Sequence, residues 1–472
     1  MDSIWTTNLD NSFTKLNKDL DLDVLIIGGG ITGLSCLYQL LNSNLKIALV
    51  EANLIGRGVT AKTTGKITYL QENIYSKIKK YVGEESSKLY FDSQKEAIKI
   101  IKEIIEKEKI KCDFIRCDSY VFTDKNKINN LRDEKKLLES FGANVYEDIS
   151  LPDGVNNNYN IYVRDTYVFH PLKYLYALKN IISKKIDIYE KTRILKLERV
   201  GDYYICKSNN NIIRAKKVVL ATHYPFFIFP FFMIGKVWLE RSYVRAYRDN
   251  EFFNFSAINV DKPSISTRYH KSSNDIYKIH LTPSYNLCGT CNKNSKENFK
   301  DYDYLWSNID IMTGDYLPFI GEISNNLFLA TGYNTWGMTN GTIAGKVIGD
   351  IILDKNNSYI NLFNPKRCLN LGRISNYFKA IFSNIFAYIY TIILDKNKEN
   401  IKLEKIDGNY IYSYKDGKSK YRVYAKCPHL GCFLIYNDLD KTWDCPCHGS
   451  RFSIDGKCIE GPSNINISYD KY

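Results

Sequence analysis

The run Cys427-Pro428-His429-Leu430-Gly431-Cys432 is followed by Cys445-Pro446-Cys447-His448-Gly449-Ser450. Reduced to metal-binding groups, this is C-x-H, fifteen residues, then C-x-x-H. Two thiolates can hold one iron of a [2Fe–2S] cluster and two imidazoles the other. Equal numbers of cysteine and histidine also suit a structural zinc ion. Two features favour the cluster. Each half contributes one Cys and one His on a short loop, and Ser450 follows as a hydroxyl able to donate to a bridging sulfide. A further cysteine sits in each half, Cys432 and Cys447.

A second pattern lies near the start. Gly28-Gly29-Gly30-Ile31-Thr32-Gly33 fits G-x-G-x-x-G. In that pattern Gly28 permits a tight turn, Gly30 lets the backbone approach a pyrophosphate, and Gly33 allows close helix–strand packing. The helix N-terminus then faces the phosphate charge. Glu51 comes 23 residues after Gly28 and ends the next apolar run, where a carboxylate accepts hydrogen bonds from ribose hydroxyls. A glycine-rich structural turn is the bland alternative, and the strand before, helix after and acid at this distance argue against it. No second fingerprint of this kind follows, so one bound FAD and a small organic substrate are expected rather than a nicotinamide-driven reductase.

The elements that must position these groups are legible in outline. Residues 22–27 read as a buried strand, 31–41 as a helix and 46–50 as a second strand. Residues 84–110 alternate Lys/Glu with Ile as an exposed amphipathic helix does. Residues 160–310 mix aromatic-rich strands with Asn-rich turns and read as an antiparallel sheet. Further buried strands are expected at 218–222 and 327–330, and a helix from about 341 to 353. The stretch 226–234 is apolar but short and broken by a proline. The apolar stretch 380–394 is also shorter than the roughly 20 residues needed to cross a bilayer. It reads as a linker helix packed between domains, with membrane contact not expected.

Composition bounds the rest. The chain has 472 residues, 44% hydrophobic and 25% charged, as an ordinary globular protein has, which excludes wholesale disorder. The net charge is +13, but the basic residues are scattered and mostly lysine, so no nucleic-acid stripe is read. Five of the twelve cysteines crowd into the last fifty residues, which points to a local metal or redox site rather than secretion. Residues 1–21 carry neither an apolar core nor an Arg-Arg pair, so a cytoplasmic setting is expected.

The segment from Val24 to Glu51 resembles the D-amino-acid oxidase family of FAD-dependent oxidoreductases. So does the loop Gly56-Arg57-Gly58-Val59-Thr60-Ala61-Lys62-Thr63-Thr64-Gly65-Lys66, which in the family wraps the flavin pyrophosphate and ring. Lys217 to His223 is similar to its mid-chain strand, and Asp315-Tyr316-Leu317-Pro318-Phe319-Ile320-Gly321 to its D-x-x-P-x-x-G element. The turn from Ala330 through Gly332, Gly337, Met338 and Thr339 is similar to the one that closes on the flavin ring. The resemblance implies an α/β FAD-binding Rossmann-like domain with an interleaved antiparallel-sheet substrate subdomain. It implies that Gly28, Gly30, Gly33, Glu51, Arg57, Thr63, Thr64, Gly332, Gly337, Met338 and Thr339 hold the cofactor.

The C-terminal pattern resembles the Rieske family, including Gly461-Pro462, which is similar to the proline loop that covers the cluster. This implies Cys427, His429, Cys445 and His448 as ligands of the [2Fe–2S] cluster and Cys432–Cys447 as a disulfide, in a small all-β domain. Phe452 stands where Rieske proteins of cytochrome bc complexes usually have a tyrosine that donates to a ligand sulfur, which implies a lower potential. Both halves together resemble bacterial fusions of the two families. The expected boundaries are 1–360 for the flavoprotein with its substrate subdomain within about 160–310, 361–400 for the linker, and 401–472 for the Rieske domain. The implied function is FAD-dependent dehydrogenation of an amine, amino acid or similar small molecule, with electrons passing through the cluster to or from a protein partner. The alternative is an electron-transfer or redox-sensing protein without small-molecule turnover. Among lesser candidates, Cys288 and Cys291 read as unpaired loop thiols. His170 and His223 could face the flavin, and Arg245, with Arg241 and Arg248 nearby, could clamp a substrate carboxylate.

Overall fold

A computed structural model of the chain describes residues 3–6, 12–225, 235–261, 264–272, 274–281, 285–286, 302–367, 374–393, 396–397, 400–417 and 419–471. The apolar stretch 226–234, Cys288, Cys291 and Cys368 lie outside these.

Strand Leu20–Ile27 is flanked by Ile212–Leu220 on one side and Ile47–Val50 on the other, all parallel. Leu327–Thr331 adds beyond the former and Asp187–Tyr189 beyond the latter, also parallel. The central residues Val24 to Ile27 and the whole of Ile47–Val50 are buried, as a sheet covered on both faces requires. Helix Ile31–Leu40 runs off the glycine turn and packs against helix Gly337–Ile352. This contact depends on Gly341, Gly345 and Gly349. A Cβ at these positions would come within 2.6 Å of Ile31, 2.5 Å of Ser35 and 2.4 Å of Gln39. The second helix begins at Gly337, four residues before the expected start.

A second, mostly antiparallel sheet has ten strands among the described residues. It reaches outside the 160–310 window, recruiting Lys66–Ile67, Ile115–Thr123 and Tyr146–Ser150. Its pairings span up to 137 residues of chain, as between Ser119 and Ser256, and local pattern does not encode partners that distant. The ladder between Val237–Asp249 and Tyr304–Thr313 pairs Trp238 with Met312, Glu240 with Asp310 and Ser242 with Asn308.

From Ile401 the chain forms two four-stranded antiparallel sheets. One holds Ile401–Ile406, Asn409–Asp416, Ser419–Tyr424 and Ser468–Lys471, the other Ile435–Asn437, Thr442–Asp444, Arg451–Ser453 and Cys458–Glu460. Helix Ile374–Ile393 connects these sheets to the rest of the chain. Its buried edge lies between the two parts of the chain, with Ala387 in the hydrophobic core of these sheets and Asn384 against strand Val237–Asp249. A seam at Ala387 and Thr391 is buried, and Asn384 donates to the Val237 carbonyl, but Phe382, Phe386, Ile389 and Ile393 are exposed. The large apolar side chains on the rest of the helix are left uncovered among the described residues. No helix among the described residues is long and apolar enough to cross a membrane.

Candidate functional site

The glycine turn opens a cavity. Gly28, with φ +110°, could not carry a side chain, because a Cβ would lie 2.4 Å from the Ala221 carbonyl oxygen. Gly33 is closed in the same way, its Cβ position being 2.0 Å from the Gly28 oxygen. At Gly30 the only atom within 4 Å of a Cβ is Thr60 Oγ1, at 3.2 Å, so a side chain there would project into the cavity. Gly30 caps helix Ile31–Leu40 with no side chain of its own, and the helix's positive end faces the same space. Glu51 lines it too, accepting from the N–H of Gly29 (2.8 Å) and of Asn53 (2.7 Å). Burial raises the Glu51 carboxyl above its ordinary range despite both bonds. A cradle open at Gly30, a dipole and an anchored carboxylate fit an adenine dinucleotide.

The other expected cofactor residues divide. Thr63, Gly337 and Met338 line the cavity, Thr64 and Thr339 line an adjoining one, and Gly33 and Gly332 support from behind. The missing Cβ of Gly332 makes room for Thr313 Cγ2. Arg57, between Gly56 and Gly58 of the lining, does not itself line the cavity. His223 does line it, its Nε2 buried without a hydrogen-bond partner and burial pushing the imidazole down to about 4. His170 instead caps helix Pro171–Ile182, its Nδ1 accepting from the Lys173 N–H. Thr60, within the loop expected to wrap the flavin, lines the cavity as well, and sequence reasoning missed Asn308 and Asp310, which line it from strand positions carrying no motif.

The adjoining cavity, of about 180 Å³, shares Thr63, Asn308, Asp310, Thr335, Gly337 and Met338 with the first. One wall is a single face of the ladder already described, with Trp238, Glu240 and Ser242 opposite Met312, Asp310 and Asn308. None of the three candidate arginines lines it. Arg241 pairs with Asp444 (2.7 Å) and Arg248 with Asp275 (3.1 Å), while Arg245 lies over the Tyr247 ring.

Near the C-terminus, a pair of similar loops face each other. The Gly431 N–H donates to the Cys427 carbonyl and the Gly449 N–H to that of Cys445. Cys432 and Cys447 form a disulfide between the loops. The Cys427 and Cys445 thiols are hydrogen-bonded to each other and buried, and the rings of His429 and His448 lie 5.0 Å apart. Burial pushes these imidazoles down to about 4 and about 3, so both are neutral, and Nδ1 of each is buried without a hydrogen-bond partner. Two adjacent thiols and two orphaned imidazole nitrogens are a donor set that iron would satisfy. Ser450 Oγ accepts from the Ser463 N–H (2.9 Å), and its hydroxyl is hydrogen-bonded to the Cys427 sulfur rather than aimed only at a bridging position. Phe452 is fully buried in the same core.

Comparison with known proteins now bears on these sites. A family model described as FAD dependent oxidoreductase matches residues 23–351, and a Rieske [2Fe-2S] domain model matches 394–469. The chain belongs to the FAD-dependent oxidoreductase family and carries a Rieske domain. The flavoprotein domain of this family binds FAD, and the Rieske domain binds a [2Fe–2S] cluster. The Bacillus subtilis protein YhfW, named as a Rieske 2Fe-2S iron-sulfur protein, is 30% identical over 98% of this chain and 96% of its own. The oxidoreductase OrdL of Haemophilus influenzae is 24% identical over 73% of this chain and 86% of its own. Glycine oxidase from Geobacillus kaustophilus shares the fold, with a TM-score of 0.60 at 15% identity, over 74% of this chain and all of that one. A FAD-dependent oxidoreductase of this family therefore has a Rieske domain folded against it.

Proposed function

We propose that the protein dehydrogenates a small molecule, an amine, amino acid or similar compound, and that the electrons leave through the Rieske domain. One observation carries this reading. The cavity beside the glycine cradle is walled on one side by His448, Gly449, Glu460, Gly461 and Pro462. FAD accepts electrons in pairs and a Rieske cluster passes them singly, so the two together connect a two-electron substrate to a one-electron partner.

Residues of this chain have distinct tasks in that reading. Gly28, Gly30 and Gly33 keep the cradle open, and Glu51 is held ready for the ribose. Thr63, Gly337 and Met338 stand where the two cavities meet. Cys427 and Cys445 hold one iron and His429 and His448 the other. Tyr224, in the wall of the first cavity, packs against His448. Buried polar contacts fix the two domains. Lys62 bonds to Glu460, Arg241 to Asp444, and Asn437 donates to the Tyr243 hydroxyl (3.0 Å). Buried charge pairs of this kind set geometry more than stability.

The test is anaerobic addition of a panel of amines and amino acids, with flavin absorbance and cluster EPR read in the same sample. Bleaching followed by the cluster signal supports the proposal. A protein that stays yellow with every compound is an electron-transfer or sensing protein instead.

A further inference from the structure

The wall of the second cavity has a chemistry of its own. Glu240 and Asp310 are direct cross-strand neighbours, a placement at which like charges repel. Asp310 accepts from Asn308 Nδ2 (2.9 Å) and Glu240 from Trp238 Nε1 (3.0 Å). Asn308 Oδ1 and Ser242 Oγ line the same cavity, buried and without hydrogen-bond partners, at 8% and 2% exposure. Orphaned polar atoms at such burial are uncommon and call for a ligand or a water. Two carboxyls, an amide oxygen and a hydroxyl together form a wall of acceptors.

The cationic side chains of this cavity already have partners, Glu72 and Ser266 among them being part of its lining. Lys62 bonds to Glu460, Lys66 donates to the Ala257 carbonyl (2.7 Å) and to Ser266, and Lys77 pairs with Glu72 (3.5 Å). Among the described residues no arginine lines the cavity. A carboxylate therefore meets no bidentate donor, whereas an ammonium group, with its N–H donors and positive charge, meets acceptors on one side. Trp238 adds an aromatic surface for an alkyl chain or the cation itself.

We propose that this wall recognises the cationic nitrogen of an amine substrate, with Glu240 and Asp310 as its countercharge and Asn308 Oδ1 and Ser242 Oγ as further acceptors. The site therefore takes amines that lack a carboxylate. The inference rests on the reading that this cavity is the substrate site of the flavoprotein. Burial, with Glu240 opposite, raises Asp310 to about 7, the behaviour of an acidic pair that a bound cation would relieve.

The test uses the FAD- and cluster-loaded full chain and needs no turnover. Flavin absorbance is titrated anaerobically with tetramethylammonium, propylamine and pivalate, the last matched in size to the first but opposite in charge. Both cations should perturb the spectrum saturably and pivalate should not. Glu240→Gln and Asp310→Asn should each weaken propylamine at least tenfold with FAD content retained. Glu240 lines only the second cavity, so Glu240→Gln decides if Asp310→Asn loses FAD. Pivalate binding as tightly as the cations, no binding of either cation, or cation affinity unaltered in Glu240→Gln overturns the proposal. None of these outcomes depends on electrons reaching the cluster, so failure here is distinct from failure of the electron-exit reading.

Discussion

The ring of Tyr224 lies 5.8 Å from that of His448, so a residue just beyond the central strand Ile212–Leu220 touches a histidine of the Rieske loops. The contact is supported on both sides. Gly449, next to His448, sits so close to Leu239 that a Cβ would lie 3.0 Å from its Cδ1. Asn464 Nδ2 donates to the Leu195 carbonyl (2.7 Å), and Arg193 donates to that of Cys458 (3.3 Å). The ladder of Val237–Asp249 and Tyr304–Thr313 thus turns Glu240 and Asp310 toward the second cavity and Leu239 and Ile309 toward the Rieske loops.

Arg241 is the charge whose removal tests this docking. It is largely buried against Asp444, which also receives Arg451 (3.3 Å). Arg241→Ala should cost about 3–5 kcal/mol, the usual effect of breaking a buried pair. Thermal unfolding of the loaded chain should show a lower transition, with slower reduction of the cluster after flavin reduction. An unchanged transition and rate would mean that the interface does not depend on this charge.

Two glycines of one motif should fail differently. Gly33→Ala places a methyl against the Gly28 carbonyl, so it should destabilise the fold by about 1–3 kcal/mol as overpacking does and lose FAD. Gly30→Val should lose FAD while the apoprotein melts as wild type, because the added atoms enter the cavity. Chemical denaturation and FAD content after desalting separate the two, and equal loss of stability would show that Gly30 is also closed.

The cluster's tuning rests on Ser450. A hydrogen bond to a ligand sulfur favours the reduced state, so Ser450→Ala should lower the midpoint potential. About 1–2 kcal/mol corresponds to about 40–90 mV for one electron. Phe452→Tyr adds a hydroxyl to the core that holds Cys427 and Cys445 and should raise it. Voltammetry of the full chain reads both, and a Phe452→Tyr potential that does not rise would mean that its hydroxyl points away from the sulfurs.

The chain's reading from sequence was uneven for physical reasons. The cradle and the cluster loops were legible because each is local, with glycines, cysteines and histidines fixed by the geometry of one turn. The wall formed by Glu240, Ser242, Asn308 and Asp310 was not, since it joins strands some 60–70 residues apart whose register no local pattern records. Trp5 was missed as well. It is wholly buried and its indole N–H donates to the Thr63 carbonyl (2.7 Å), propping the loop between the two cavities. A single tryptophan in a polar stretch gives no periodicity to detect.

Cation binding should depend on pH through Asp310. Its carboxyl is raised to about 7 from an ordinary value of ~4, so between about pH 4 and about pH 7 the folded protein keeps a proton that the unfolded chain releases. This group's contribution to stability is therefore present below about pH 4 and lost as pH rises through about 7. Binding runs the other way, because ionised Asp310 attracts a cation. Lys66, lowered to about 7 by burial, loses its charge over the same range and adds to the effect. The other charged groups of the cavity are Glu240, Glu72, Lys62 and Lys77. Tetramethylammonium does not titrate, so its affinity should tighten several-fold from about pH 6 to about pH 8, and Asp310→Asn should flatten the profile. Affinity that weakens with rising pH would contradict this assignment.

The passage of electrons from flavin to cluster is tested most directly without any substrate. The bound flavin is photoreduced anaerobically, and the cluster's EPR signal is followed in the same sample at several protein concentrations. The cluster should become reduced as the flavin does, at a rate independent of dilution, because both cofactors belong to one chain and share a wall at His448. A flavin that bleaches fully while the cluster stays oxidised, or a cluster whose reduction slows in proportion to dilution, would contradict the account.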